Sequence, residues 1–203
     1  MKKIPLILTC CIMAVCGASC NNDSSNNSDN NSTVSFGQIQ KNGSGEEALK
    51  DFFTANYTRD AGEAAFSYMY IQPIIDNMIE KNEYRQRVLE YNSGKNQFLD
   101  LVQTVPYIKS IDETTPLTEE QLGWAEQYFI DYAASMDISI EDITVTEGYN
   151  FKCTVVDYNT NEKEDVECLV KVEGDGWKYV GSLNTLKSMY GSETETTSEN
   201  STQ

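Results

Sequence analysis

The feature that most restricts the fold is a change of hydrophobic period at Asp137. Before it, apolar residues recur every three or four positions; after it, they alternate. Leu122, Ala125, Phe129, Tyr132, Ala133 and Met136 fall on one side of a helix that starts at Thr118, where Gln121 completes a capping box. Beyond Asp137, Ile138 to Thr146, Tyr149 to Asp157, Asp165 to Glu173 and Trp177 to Gly181 read as strands. The middle two join through "YNTNEK" and the last two through "GDG". Helices first and strands afterwards is the order of an α+β domain, with N-terminal helices packed on a curved antiparallel sheet of about four strands.

Upstream, Ser44 and Glu47 form a second capping box ahead of the stripe Ala48, Leu49, Phe52 and Phe53. Asn56 falls within that stripe. It is either a pocket residue or a partner for carbonyls at a frayed helix end. Asp60 and Glu63 introduce a short helix that ends before Pro73. From Ile74 to Val105 the pattern is helical, with a break expected at Ser93-Gly94. Trp124 lies off the apolar side of its helix, which makes it either a contact for a partner or a ring packed under a neighbouring element.

A symmetric turn about Thr160 and Asn161 sets Val155 opposite Val166, Cys153 opposite Cys168 and Phe151 opposite Val170. On that register Val166, Cys168, Val170 and Val172 face one core together with Cys153. The two cysteines are then either a cross-strand disulfide or a pair of reduced core thiols.

Catalytic chemistry is thin. There is no histidine anywhere in the chain, which removes Ser-His-Asp and Cys-His arrangements and the commonest general base at neutral pH. No Gly-rich phosphate loop is present, and Cys153 and Cys168 lack metal-ligand spacing. Asp157, Asn159 and Asn161 match the first ligand positions of a calcium loop. Glu162 then stands where the turn needs Gly, and Cys168 where a bidentate Glu belongs, so the segment reads as a hairpin turn. No catalytic residue, metal site or cofactor is assigned.

Met1-Lys2-Lys3 is a short basic segment, and Ile4 to Val15 is apolar but too short to span a bilayer. Gly17-Ala18-Ser19-Cys20 follows. This stretch resembles the signal of bacterial lipoproteins, departing at Gly17, where that family usually carries Leu. The resemblance implies cleavage after residue 19, lipidation of Cys20 and anchoring in the cell membrane facing the extracytoplasmic side, palmitate being the expected acyl type. More than one acyl chain, at ~0.8 kcal/mol per buried methylene, makes detachment rare. Asn21 to Ser32, "NNDSSNNSDNNS", has nothing with which to build a core, so residues 20–43 read as a tether and 191–203 as an acidic tail. One domain over 44–190 remains. The chain carries 15 basic and 32 acidic residues, net -17. Losing Lys2 and Lys3 takes it to net -19. That field repels phosphate backbones, so nucleic acid is excluded as a partner and lipid is met through the acyl chains alone.

The stretches "EEALKDFF", "YMYIQPIIDNMIEKNEYRQRVLEYN", "ITVTEGYNFKCTVV" and "GDGWKYVG" together resemble nuclear transport factor 2-like and cystatin-like domains of uncharacterised lipoproteins from low-GC Gram-positive bacteria. That resemblance implies a cavity wall from Tyr149, Phe151, Val170, Val172, Trp177 and Tyr179, with Asn56 a further candidate, unless these side chains fill the core. Such folds host enzymes, carriers and assembly modules alike. The expectation is a membrane-anchored, non-catalytic module for a small molecule or an envelope protein. The rivals are a lyase or isomerase using a buried carboxylate and a tyrosine, and a structural subunit of an envelope complex.

Overall fold

The computed structural model describes residues 40–191. The expected signal peptide, Cys20, most of the expected tether and the expected acidic tail lie outside the described residues. Both capping boxes form as the sequence predicts. Ser44 receives the Glu47 amide at 3.3 Å while its own amide donates to the Glu47 carboxylate at 2.8 Å, opening α1 (Gly45–Tyr57). Thr118 and Gln121 make the same exchange at 3.3 and 2.9 Å to open α5 (Glu119–Ala134). Between them lie α2 (Gly62–Met69), α3 (Gln72–Glu80) and α4 (Tyr84–Leu101), then β1 (Tyr107–Pro116). Pro73 sits in the first turn of α3, where its missing amide breaks no hydrogen bond. The break expected at Ser93-Gly94 is absent, for α4 runs through both residues. The chain turns instead at Asn82, in left-handed conformation with φ 57°.

After α5 come β2 (Val145–Val156), β3 (Glu162–Val172), β4 (Gly176–Gly181) and α6 (Leu183–Tyr190). The four strands form an antiparallel sheet in the order β1-β2-β3-β4. The α+β class and the four-stranded sheet with helices packed on it stand as expected. The strand inventory does not. Residues 138–144 form no strand; Ile138, Ile140 and Ile143 pack against the core outside the strand ladders. The fourth strand is β1, which escapes the alternation test because two register shifts, at Ile108/Ser110 and Ile111/Glu113, space its apolar residues three apart.

Helices cover both faces of the sheet, so there are two cores. On one face Ala48, Leu49 and Phe52 of α1 and Tyr68 of α2 pack on Phe151, Cys153, Val155, Leu169 and Trp177. On the other, Ile74 and Met78 of α3, Ala125, Phe129 and Ala133 of α5 and Leu186 of α6 pack on Cys168, Val170, Val172 and Val180. Cys168, Leu169 and Val170 are consequently all fully buried in succession, as a strand covered on both sides requires.

This arrangement corrects the predicted register. Cys153 pairs with Asp165, and Cys168 with Asn150, a three-residue offset from the symmetric turn. The turn is set by Asp157, whose Oδ1 accepts from the amides of Asn159 (2.8 Å) and Asn161 (3.0 Å), with Thr160 at φ 65°. An odd offset moves every side chain of β3 to the other face relative to β2. Cys153 and Cys168 therefore lie in different cores as free, buried thiols, and the sheet itself keeps them from forming a disulfide.

Candidate functional site

Four of the predicted wall residues, Tyr149, Phe151, Trp177 and Tyr179, do share one face, the one under α1. Gly45 brings the helix down onto them: a Cβ there would stand 2.9 Å from Tyr149, 3.0 Å from Phe151 and 3.2 Å from Trp177. Trp177 Nε1 donates to the Gly43 carbonyl at 2.8 Å. Phe151 and Trp177 are 0% and 1% exposed, so they fill this layer and line no opening. Val170 and Val172 belong to the opposite core. Asn56 stands apart, accepting a hydrogen bond from the Tyr91 hydroxyl between α1 and α4.

Along the same face two tyrosines each donate to a carboxylate. Tyr68 OH reaches Asp51 Oδ2 at 2.6 Å, and Tyr179 OH reaches Glu167 Oε2 at 2.6 Å. Phe52 links the two pairs, stacked on Tyr179 at 4.4 Å and tilted against Tyr68 at 5.7 Å. Burial raises the Asp51 carboxyl above its usual range, opposed by the Tyr68 hydrogen bond. Burial also pushes Glu167 up to about 7, the Tyr179 hydrogen bond opposing and Asp165 adding to it. A carboxyl poised there can hold or release a proton near neutrality. The thiols cannot serve as nucleophiles, for burial first and Glu167 second push both up to about 12. Sequence reasoning missed Glu167 because its strand was assigned the wrong partner residues.

At the end of the sheet where β3 turns into β4, polar groups clamp the incoming chain. Lys178, 1% exposed, pairs with Asp175 Oδ1 at 2.7 Å and donates to the Ser67 carbonyl at 2.7 Å. Burial lowers its pKa and Asp175 opposes that. Asp175 Oδ2 accepts from the Gln72 amide at 2.7 Å, closing the first turn of α3. Gln40, also buried, donates from Nε2 to the carbonyls of Asp175 (2.6 Å) and Trp177 (3.2 Å). The packed residues thus include Gln40, ahead of Ser44. Two open clefts flank this turn, of about 390 and 370 Å³, the first lined by Lys41, Thr146 and Lys171 and the second by Ile71, Pro73 and Ile143.

The opposite end of the sheet is apolar and uncovered. Leu101 at the end of α4 is 80% exposed, Val105 48%, Tyr107 at the start of β1 50% and Tyr158 in the β2–β3 turn 44%. Phe98 of α4 lies at the same end, its ring edge-on to Tyr158 at 6.0 Å and tilted against Tyr57 at 6.3 Å. Around this patch Arg59 is paired with Asp100, Lys109 with Glu162 at 2.5 Å and Lys163 with Asp157 at 2.6 Å. Trp124, the predicted partner contact, is half-buried against the core that holds Phe129 and Cys168, which is the packing alternative. Comparison with protein-family models, with curated proteins and with solved structures returns no match.

Proposed function

We propose that this chain is a membrane-anchored extracytoplasmic lipoprotein whose folded domain is a non-catalytic protein-interaction module. The anchor rests on the Gly17-Ala18-Ser19-Cys20 signal and the polar segment behind it. The observation that carries the interaction role is the group of exposed Leu101, Val105, Tyr107 and Tyr158 at one end of the sheet, whereas Ile79, Leu89 and Met189, also exposed, lie on three separate helices. A contiguous apolar patch kept in water costs solubility unless something covers it. The strong negative charge disfavours nucleic acid and direct contact with anionic lipid headgroups.

A second reading, an enzyme of lyase or isomerase type, draws on one observation: Glu167, held near 7 beside the Tyr179 hydroxyl. Against it stands the filling of that layer by Phe52, Phe151 and Trp177, which leaves the carboxyl facing side chains and not a substrate. Metabolic labelling with palmitate in wild type and Cys20→Ser, followed by membrane fractionation, tests the anchor. Label and membrane association present in the first and absent from the second are expected; equal labelling would end the reading.

A further inference from the structure

The two ends of the sheet are chemically opposite and far apart. The chain enters at Gln40, clamped to the β3–β4 turn, while Tyr158 occupies the β2–β3 turn at the other end of β3. A strand of this length, at ~3.3 Å per residue, separates them by ~33 Å.

Four occupants of the apolar end fail, on chemistry or on reach. The residues after Gly191, "SETETTSENSTQ", contain no apolar side chain to cover it. Phe36 and Ile39, the apolar residues nearest before Gln40, are held within ~15 Å of it by covalent reach and fall well short. A second copy or an anionic bilayer meets a chain of net charge -17, whose rim cations Arg59, Lys109 and Lys163 are each already held by a carboxylate.

We propose that the surface made by Phe98, Leu101, Val105, Tyr107 and Tyr158 docks a protein partner that presents apolar side chains inside a ring of Lys and Arg. The apolar centre supplies the anchoring contacts, and the acidic field of the domain steers the basic rim and sets orientation. This rests on the interaction reading above and does not depend on the anchor.

The test is photo-crosslinking in intact cells with a photoreactive residue placed in the full-length chain at Leu101, and at Asn42 beside the tether entry as control. Adducts are digested and the attached peptide sequenced. The expected result is one protein other than this chain, joined at Leu101 and not at Asn42 through a peptide rich in Lys or Arg around apolar residues. Its yield should fall about tenfold or more with Val105→Asp, a half-exposed position where the fold, checked by circular dichroism, is retained. Moderate salt should reduce it as well. An adduct to a second copy, to lipid or to an acidic peptide, or none at Leu101, overturns the proposal. Palmitate labelling reports on the anchor separately, so loss of the anchor and loss of the docking surface are distinct outcomes.

Discussion

Cys153 and Cys168 lie on opposite faces of one sheet, each closed into its own core. In an oxidising compartment two cysteines on neighbouring strands would ordinarily invite a bridge, and here the backbone between them prevents it. Both thiols should therefore stay reduced in the folded protein, even under oxidising conditions. Titration with an aromatic disulfide reagent should find neither reactive in the native protein and both reactive once it is unfolded. A native disulfide would contradict the register.

Glu167 gives the domain a distinctive pH dependence. Its folded pKa of about 7 lies above the ordinary carboxyl value of 4.5, because burial disfavours the charge. Between those values the folded state binds more protons than the unfolded one, so stability is fully present below about pH 4.5 and declines as pH rises through 7. The contribution at stake is on the order of 3 kcal/mol. Urea unfolding at pH 5 and pH 8 should give a higher midpoint at the lower pH, judged against Glu167→Gln, which should remove that part of the dependence. Tyr179→Phe should steepen it, since the Tyr179 hydroxyl favours the ionised form.

Lys178 anchors the tether end. Lys178→Ala leaves Asp175 and the Ser67 carbonyl facing each other without their shared cation, at a cost of about 3 kcal/mol or more. Lys178→Met keeps the packing and should cost less only if Asp175 can reach solvent. Thermal unfolding of the two variants side by side reads the difference.

The close approach of α1 to the sheet depends on Gly45. Gly45→Val forces side-chain atoms into Tyr149, Phe151 and Trp177, and overpacking of this kind costs about 1–3 kcal/mol. The urea midpoint should fall accordingly. Gly94→Ala, where nothing lies within 4 Å on α4, should instead raise stability by roughly 0.5–1 kcal/mol.

Much of the architecture was legible because it is local. Ser44 with Glu47 and Thr118 with Gln121 are self-contained signals, and both helices begin where they say. β2, β3 and β4 were found by alternation, although the segment 138–144 alternates equally well without pairing. What escaped was non-local. Bulges in β1 broke the two-residue period, and the Asx-type turn at Asp157 shifted the β2–β3 register by an odd number of residues, exchanging the faces of β3. The helix α6, capped by Ser182 through the Thr185 amide at 3.3 Å, lay inside the predicted domain but matched no predicted element. Tyr149, Phe151, Trp177 and Tyr179 were rightly placed on one face, but whether rings enclose a space or fill it depends on how closely α1 approaches, and a single glycine decides that. The exposed end is assembled from α4, β1 and the β2–β3 turn, three places that no pattern along the chain connects.

The claim on which the functional account depends is covalent. Intact-mass and peptide mass spectrometry of the protein extracted from its native membrane tests it directly. The account predicts a chain that begins at Cys20 and carries thioether-linked diacylglycerol on that sulfur. A chain that retains its first residues, or one that starts near residue 20 with an unmodified thiol, would contradict it.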